Sequence, residues 1–315
     1  MKIIFVPTKN PKAQGDLLEL SILHGLRSVL GSNCIDFPKK KVMYHDFSES
    51  PKSELHGRGF SLLTDSISDL TKEQRQIKNI DAILYGCGHM YGEGRIPELE
   101  DCCDNVWALD GHDLYGNAPR KILFEGEEVI GTQFEKCFKR ELVEDNLKNV
   151  YPTGFGIPIE RIMPINLEGK AQLFQKTAPD DSLFKDVRDF GGGFKHHIFT
   201  EEKDYYNDLA ASWFGLSCKK GGWDCLRHYE IIAAGSVLLF KDYDKKPKNC
   251  SPQHLPCISY STKEELENIT NSLIINEKPT KSYMDLLFKQ RQWLYDHGTT
   301  AARALEILRT INVKL

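Results

Sequence analysis

The sequence predicts an α/β protein of two units followed by closing helices. Short continuous apolar runs, such as Ile3–Val6 and Val237–Phe240, alternate with stretches of helical apolar spacing, as strands joined by helical crossovers do. Runs without polar alternation suit strands covered on both faces. The 315 residues, 40% hydrophobic and 27% charged, suffice for two ordinary cores and exclude a largely disordered chain.

Ile3–Val6, closed by Pro7, is the first expected strand. A polar loop leads to Asp16, a fitting N-cap for a helix over Leu17–Leu30, which Gly31 ends. Cys34–Phe37 reads as a second strand, and 38–66 as loop. Ala82–Tyr85, Val106–Leu109 and Ile122–Phe124 read as strands, with Pro97–Cys103 helical. Two prolines and two glycines within 151–158 mark a hinge.

The second half repeats this logic. Strands are expected at Ala171–Phe174, His197–Phe199, Phe214–Ser217, Val237–Phe240 and Cys257–Tyr260. Helices are expected over Asp204–Trp213, from Asp224 through Leu226–Ala234 to a stop at Gly235, and over Lys263–Leu273 behind a Ser261-x-x-Glu264 capping box. Two more, 283–296 and 299–311, meet at Gly298, with Thr299 and Thr300 available as caps. The expected domains are 1–155, 156–280 and a closing helical segment, 281–315.

Composition narrows the function classes. No apolar run reaches the roughly 20 residues of a membrane span, and the first residues lack secretory-signal character, so a cytoplasmic protein is expected. A net charge of −4 argues against a nucleic-acid partner, although Lys39–Lys41 and Lys245, Lys246 and Lys248 offer a local basic groove. The nine cysteines form no C-x-x-C, and Cys218/Cys225 and Cys250/Cys257 match no zinc spacing. His196 and His197 are adjacent, a poor geometry for sharing one ion. No metal centre and no cofactor are expected.

The most informative segment is LSCKKGGWDCLRHYEIIAAGSVLLF, residues 216–240. It reads as strand, glycine-rich turn, helix and strand. A helix N-terminus behind Gly221 and Gly222 suits phosphate, because free backbone N–H groups and the helix dipole favour anions. Arg227 in the first turn can fork onto phosphate oxygens. Glu230, three residues on, shares its face and can accept from a ribose diol. Taken singly, the same residues also read as a surface ion pair and an ordinary turn.

Together they carry a resemblance. Tyr205/Tyr206, Leu209, Ser212, Phe214, Gly215 and Leu216, followed by the G-W-D-x-x-R-x-x-E-x-x-A-x-G pattern of Gly222–Gly235, resemble the donor segment of nucleotide-sugar glycosyltransferases of the GT-B fold. The spore-coat-type, exostosin-type and glycosyltransferase family 1-like branches are the nearest in pattern. Phe138-Lys139-Arg140-Glu141-Leu142 and Phe155-Gly156-Ile157-Pro158 resemble the end of the first domain in such proteins, and Asp110-x-His112-Asp113 is also similar. The second Glu of the family's E-x₇-E pattern falls at Leu238, which leaves the stereochemistry open.

The resemblance implies two Rossmann-like α/β/α domains facing a cleft: an N-terminal acceptor domain, a C-terminal donor domain, and final helices that return to the first. It implies transfer of a sugar from a nucleotide-diphosphate sugar to a glycan or other hydroxyl acceptor without an obligatory metal. Glu230 would hold the ribose and Arg227 the diphosphate, with Gly221, Gly222, Trp223, Asp224, Lys139 and Arg140 also serving the donor, and Lys219 and Lys220 nearby. The base for the acceptor hydroxyl is sought among Asp110, His112 and Asp113, after a strand, or at Asp16. Two rivals stand beside this reading. Gly86-x-Gly88 suggests an NAD(P)-dependent oxidoreductase, though Tyr91 replaces the third glycine of the fingerprint. A catalytically silent nucleotide-sugar-binding scaffold is the other.

Overall fold

The computed structural model describes residues 1–8, 16–45, 60–61, 63–86, 96–113, 123–124, 127–128, 136–143, 147–177 and 198–311. The chain divides into two compact units, Met1–Pro158 with Lys248–Ser251 and Thr299–Leu315, and Ile159–Pro247 with Pro252–Gly298.

In the first unit, β1 (Ile3–Val6), α1 (Leu17–Leu30), β2 (Cys34–Asp36), β3 (Ala82–Gly86), the single turn α2 (Pro97–Glu100) and β4 (Val106–Asp110) follow in order. A two-stranded antiparallel pair, β5 (Leu123–Phe124) and β6 (Glu127–Glu128), precedes β7 (Cys137–Lys139) and β8 (Val150–Pro152). The main sheet is wholly parallel, in the order β2-β1-β3-β4-β7-β8. Leu123–Phe124 therefore lies outside the sheet it was expected to join, and β8 occupies the start of the expected hinge.

The second unit contains β9 (Gln172–Phe174), α3 (Glu202–Ala210), β10 (Ser212–Ser217), α4 (Leu226–Ala233), β11 (Val237–Lys241), β12 (Ile258–Tyr260), α5 (Lys263–Leu273), the short hairpin β13 (Ile274–Ile275) and β14 (Lys278–Pro279), and α6 (Lys281–Trp293). Its sheet runs β12-β11-β10-β9, again all parallel. Ile198 and Phe199 form no strand, and His197 lies outside the described residues. The capping box of α5 is Thr262 with Glu265, one residue beyond the expected pair.

The two last helices part company. α6 places Tyr283 and Leu287 in the core of the second unit, and its Gln290 side chain bonds both Leu238 N and Leu238 O at 2.9 Å, in the manner of a strand neighbour. α7 (Thr300–Thr310) belongs to the first unit and inserts Ala304, Ile307 and Leu308 among the side chains of α1. Of 281–315, residues up to Gly298 thus group with the second unit and Thr299–Leu315 with the first. Gly25 makes the close approach possible: a Cβ there would lie 2.6 Å from the Thr300 carbonyl carbon. His24 Nδ1 meets Thr300 Oγ1 at 2.9 Å across the same contact.

Candidate functional site

In the second unit, side-chain alternation decides what lies beneath α4. Phe214 and Leu216 of β10 point into the core with Tyr283 and Leu287, whereas Gly215 faces Ile231 of α4. A Cβ at Gly215 would clash with the Ile231 side chain, so this glycine sets how closely helix and sheet pack. Ser217, two residues on, shares that face and ends β10 at its carboxyl edge, where ligands of open parallel sheets gather.

α4 starts at Leu226 with Cys225 in the cap position, and no side chain caps it. Asp224 is therefore not the cap; its buried carboxylate accepts from Tyr229 Oη at 2.9 Å. Lys220 N–H donates to Gly222 O at 3.1 Å and closes the turn ahead of the helix. Among the described glycines only Gly31 and Gly235 have left-handed backbone, so handedness does not require Gly221 or Gly222. Gly235, at φ +82°, stops α4 as expected.

Three buried polar atoms around the first turn have no hydrogen-bond partner among the described residues: Ser217 Oγ, Arg227 Nη1 and His228 Nδ1. Each such group costs on the order of 1–3 kcal/mol, and in native structures it calls for an explanation. His228 Nε2 meets Trp223 O at 3.0 Å, and its ring lies 4.3 Å from that of Phe240, the cross-strand partner of Ser217. Burial pulls its pKa down to about 3, so the imidazole is neutral and Nδ1 is an acceptor. Burial also opposes charge on Arg227, but Cys225, Tyr205, Cys218 and Glu230 outweigh it and keep the guanidinium charged.

Glu230, 5% exposed, lies one turn along α4. Its Oε2 accepts from Tyr205 Oη at 2.6 Å and its Oε1 from Tyr206 Oη at 3.4 Å. Burial, then the Glu230 charge, hold the Tyr205 phenol well above its ordinary pKa, so it remains a donor. Arg161 Nη1 pairs with Glu202 at 2.6 Å and also lies in the field of Tyr206 and Glu230. Trp223 packs on Phe240 with 8% exposure, and Lys219 Nζ lies 5.6 Å over its ring.

The first unit brings together most of the remaining expected site residues, but with one another. Asp110 ends β4 and accepts from Lys139 Nζ at 2.8 Å and from His112 N–H at 2.9 Å. Arg140, 1% exposed, donates twice to Gly111 O, pairs with Asp113 and Glu141, and covers the Phe155 ring. Lys139 and Arg140 thus pair with carboxylates of their own unit. Asp16 caps α1 through Glu19 N–H at 2.9 Å. Of the candidate bases, Asp113 has a side chain 32% exposed, whereas that of Asp110 is 4% exposed.

One feature escaped the sequence reading. Chain order makes the gap between β1 and β3 the switch point of the first sheet. There Glu19, 1% exposed, accepts from Thr8 N–H and the Thr8 hydroxyl and pairs with Lys40 Nζ at 2.9 Å. A Cβ on Gly86 would strike this carboxylate, which accounts for Gly86 without a dinucleotide. Gly88, Tyr91 and the His196–His197 pair lie outside the described residues. Lys39 pairs with Asp69 and Lys40 is buried, whereas Lys41 is exposed.

Among solved structures, the chain is similar over its whole length to an α-glucosyltransferase in complex with UDP and a 13-mer DNA containing a central A:G mismatch. The TM-score is 0.56 at 11% identity, covering 99% of both chains. The fold is GT-B. No family model matches the sequence, and no curated protein does. No described helix is long and apolar enough to cross a membrane. The GT-B assignment therefore rests on two parallel α/β units and their connectivity, and it carries no activity by itself.

Proposed function

We propose that this chain is a glycosyltransferase that takes a sugar from a nucleotide-diphosphate sugar and passes it to an acceptor hydroxyl. The observation that carries this reading is the unsatisfied first turn of α4. Arg227 Nη1 and Ser217 Oγ are buried donors without partners beside an uncapped helix start, and Glu230 lies on the same helix face one turn away. A nucleoside diphosphate supplies what this arrangement lacks: phosphate oxygens for the donors and a ribose diol for the carboxylate.

Transfer breaks the bond between the anomeric carbon and the β-phosphate oxygen, so negative charge grows on the departing diphosphate. Arg227 and the α4 N-terminus stabilise it without having to move charge into place. Lys219 and Lys220, in the turn ahead of the helix, add positive potential. The acceptor hydroxyl loses its proton as it attacks. Of the carboxylates expected to receive it, Asp113 has the most exposed side chain, since Asp110 is buried against Lys139 and Asp16 caps α1. The UDP-bound neighbour of the same fold supports a nucleotide donor. The acceptor class stands open between a glycan and another hydroxyl compound.

Incubation with UDP-, GDP- and dTDP-sugars, with release of the nucleoside diphosphate followed over time, tests this reading. The expected result is turnover of one donor class and a loss of at least tenfold in kcat/KM for Glu230→Ala. A folded protein that releases no nucleotide from any donor but still binds one would favour the silent-scaffold alternative. Unchanged donor KM in Glu230→Ala would misplace the site.

A further inference from the structure

We infer that Tyr205 and Tyr206 aim the Glu230 carboxylate at the ribose 2′,3′-diol, so that the site selects ribonucleotides over their 2′-deoxy counterparts. This rests on the donor-site reading above. The two phenols are positioning residues: they act on the ligand through Glu230.

A glutamate carboxylate turns easily about its last torsion, whose preferences are broad. Here consecutive tyrosines of α3 take one oxygen each, Tyr205 on Oε2 at 2.6 Å and Tyr206 on Oε1 at 3.4 Å, which fixes the plane of the group. The phenols are themselves held. Their rings meet edge to face at 5.3 Å, and Phe199 lies 6.3 Å from Tyr205. Tyr206 also interacts with Arg161, which the Glu202 carboxylate anchors at 2.6 Å. A network from Arg161 through α3 to α4 therefore sets one side chain.

The backbone of Glu230 lies about 4.5 Å along the helix axis from that of Arg227, at three residues of rise. Phosphate oxygens on Arg227 then leave the sugar of the same nucleotide at Glu230. A fixed carboxylate accepts from both hydroxyls of a vicinal diol, and removing the 2′-hydroxyl deletes one charge-assisted hydrogen bond. A mobile carboxylate loses that discrimination, because it can follow whichever hydroxyl remains.

Calorimetric titration with UDP, GDP and their 2′-deoxy forms tests this on the whole chain. The wild type should prefer the better-bound ribonucleotide over its deoxy form by about tenfold. Tyr205→Phe, shown to be folded by circular dichroism, should bring that ratio towards one by weakening the ribonucleotide alone. Tyr206→Phe should do so to a lesser degree, and serves as the test should Tyr205→Phe not fold. Equal weakening of both forms would make the tyrosines merely structural and overturn the inference, as would a wild type indifferent to the 2′-hydroxyl. Binding of no nucleotide by the wild type would instead overturn the donor site as a whole.

Discussion

Replacing Arg227 by Met should make the empty protein more stable and the nucleotide-bound protein less so. In the empty protein Nη1 is buried without a partner among the described residues. An unsatisfied buried donor costs on the order of 1–3 kcal/mol, and Met keeps most of the apolar stem while removing that nitrogen. Glu230 loses a nearby cation in the exchange, but the burial cost of the guanidinium charge, the largest single effect on that charge, is removed with it. The phenolic donors to Glu230 remain. The net expectation is a gain of about 1 kcal/mol, or a rise of about 2–4 °C in Tm for a unit of this size. Bound nucleotide reverses the order. At about 100 times Kd a ligand stabilises by roughly 2.7 kcal/mol, and a variant that binds poorly forgoes most of this. Scanning calorimetry with and without UDP at millimolar concentration would show the crossing. A variant that melts below the wild type without UDP, and gains as much from it, would refute the reasoning.

Other consequences follow from the packing and charges. Gly215→Ala should destabilise by about 1–3 kcal/mol, because the added methyl meets Ile231 at under 3 Å; urea unfolding measures it. Glu19→Gln should cost about 3–5 kcal/mol by leaving the Lys40 ammonium buried against a neutral amide, and adding Lys40→Met should recover much of it in the same assay. Lys170 Nζ meets four oxygens, of Ala210, Ser212, Gly235 and Ser236, and burial, with the Arg291 charge, lowers its pKa to about 7. The folded state then releases a proton that the unfolded chain keeps until about pH 10.4. Through this group stability should rise from pH 7 towards pH 10, and this part of the slope should vanish in Lys170→Met.

What the sequence disclosed depended on the distance between partners. Arg227, Glu230, the glycine turn and the Gly235 stop share one segment, so helical spacing alone sets them on one face. The ion pairs of Lys139 and Arg140 were not legible because their carboxylates, Asp110 and Asp113, lie 29 and 27 residues earlier, at and just beyond the end of β4. β7 and β8 were missed because each is three residues long and their side chains include Lys139 and Pro152, which no apolar pattern marks. The Glu19–Lys40 pair did leave a trace. Glu19, Ile22, Leu23 and Leu26 fall at i, i+3, i+4 and i+7, so a carboxylate heads the buried stripe of α1. A charge in that position signals a buried partner. Nothing local signals that Tyr205 and Tyr206 hold Glu230, since 25 and 24 residues separate them from it.

The central claim is that a nucleoside diphosphate binds at the first turn of α4. Calorimetric titration of the wild type and of Glu230→Ala with UDP, GDP and dTDP tests it most directly. The account predicts saturable binding of at least one of the three and at least tenfold weaker binding in the variant. Folded wild-type protein that binds none of them, or a variant that binds as tightly as the wild type, would contradict it.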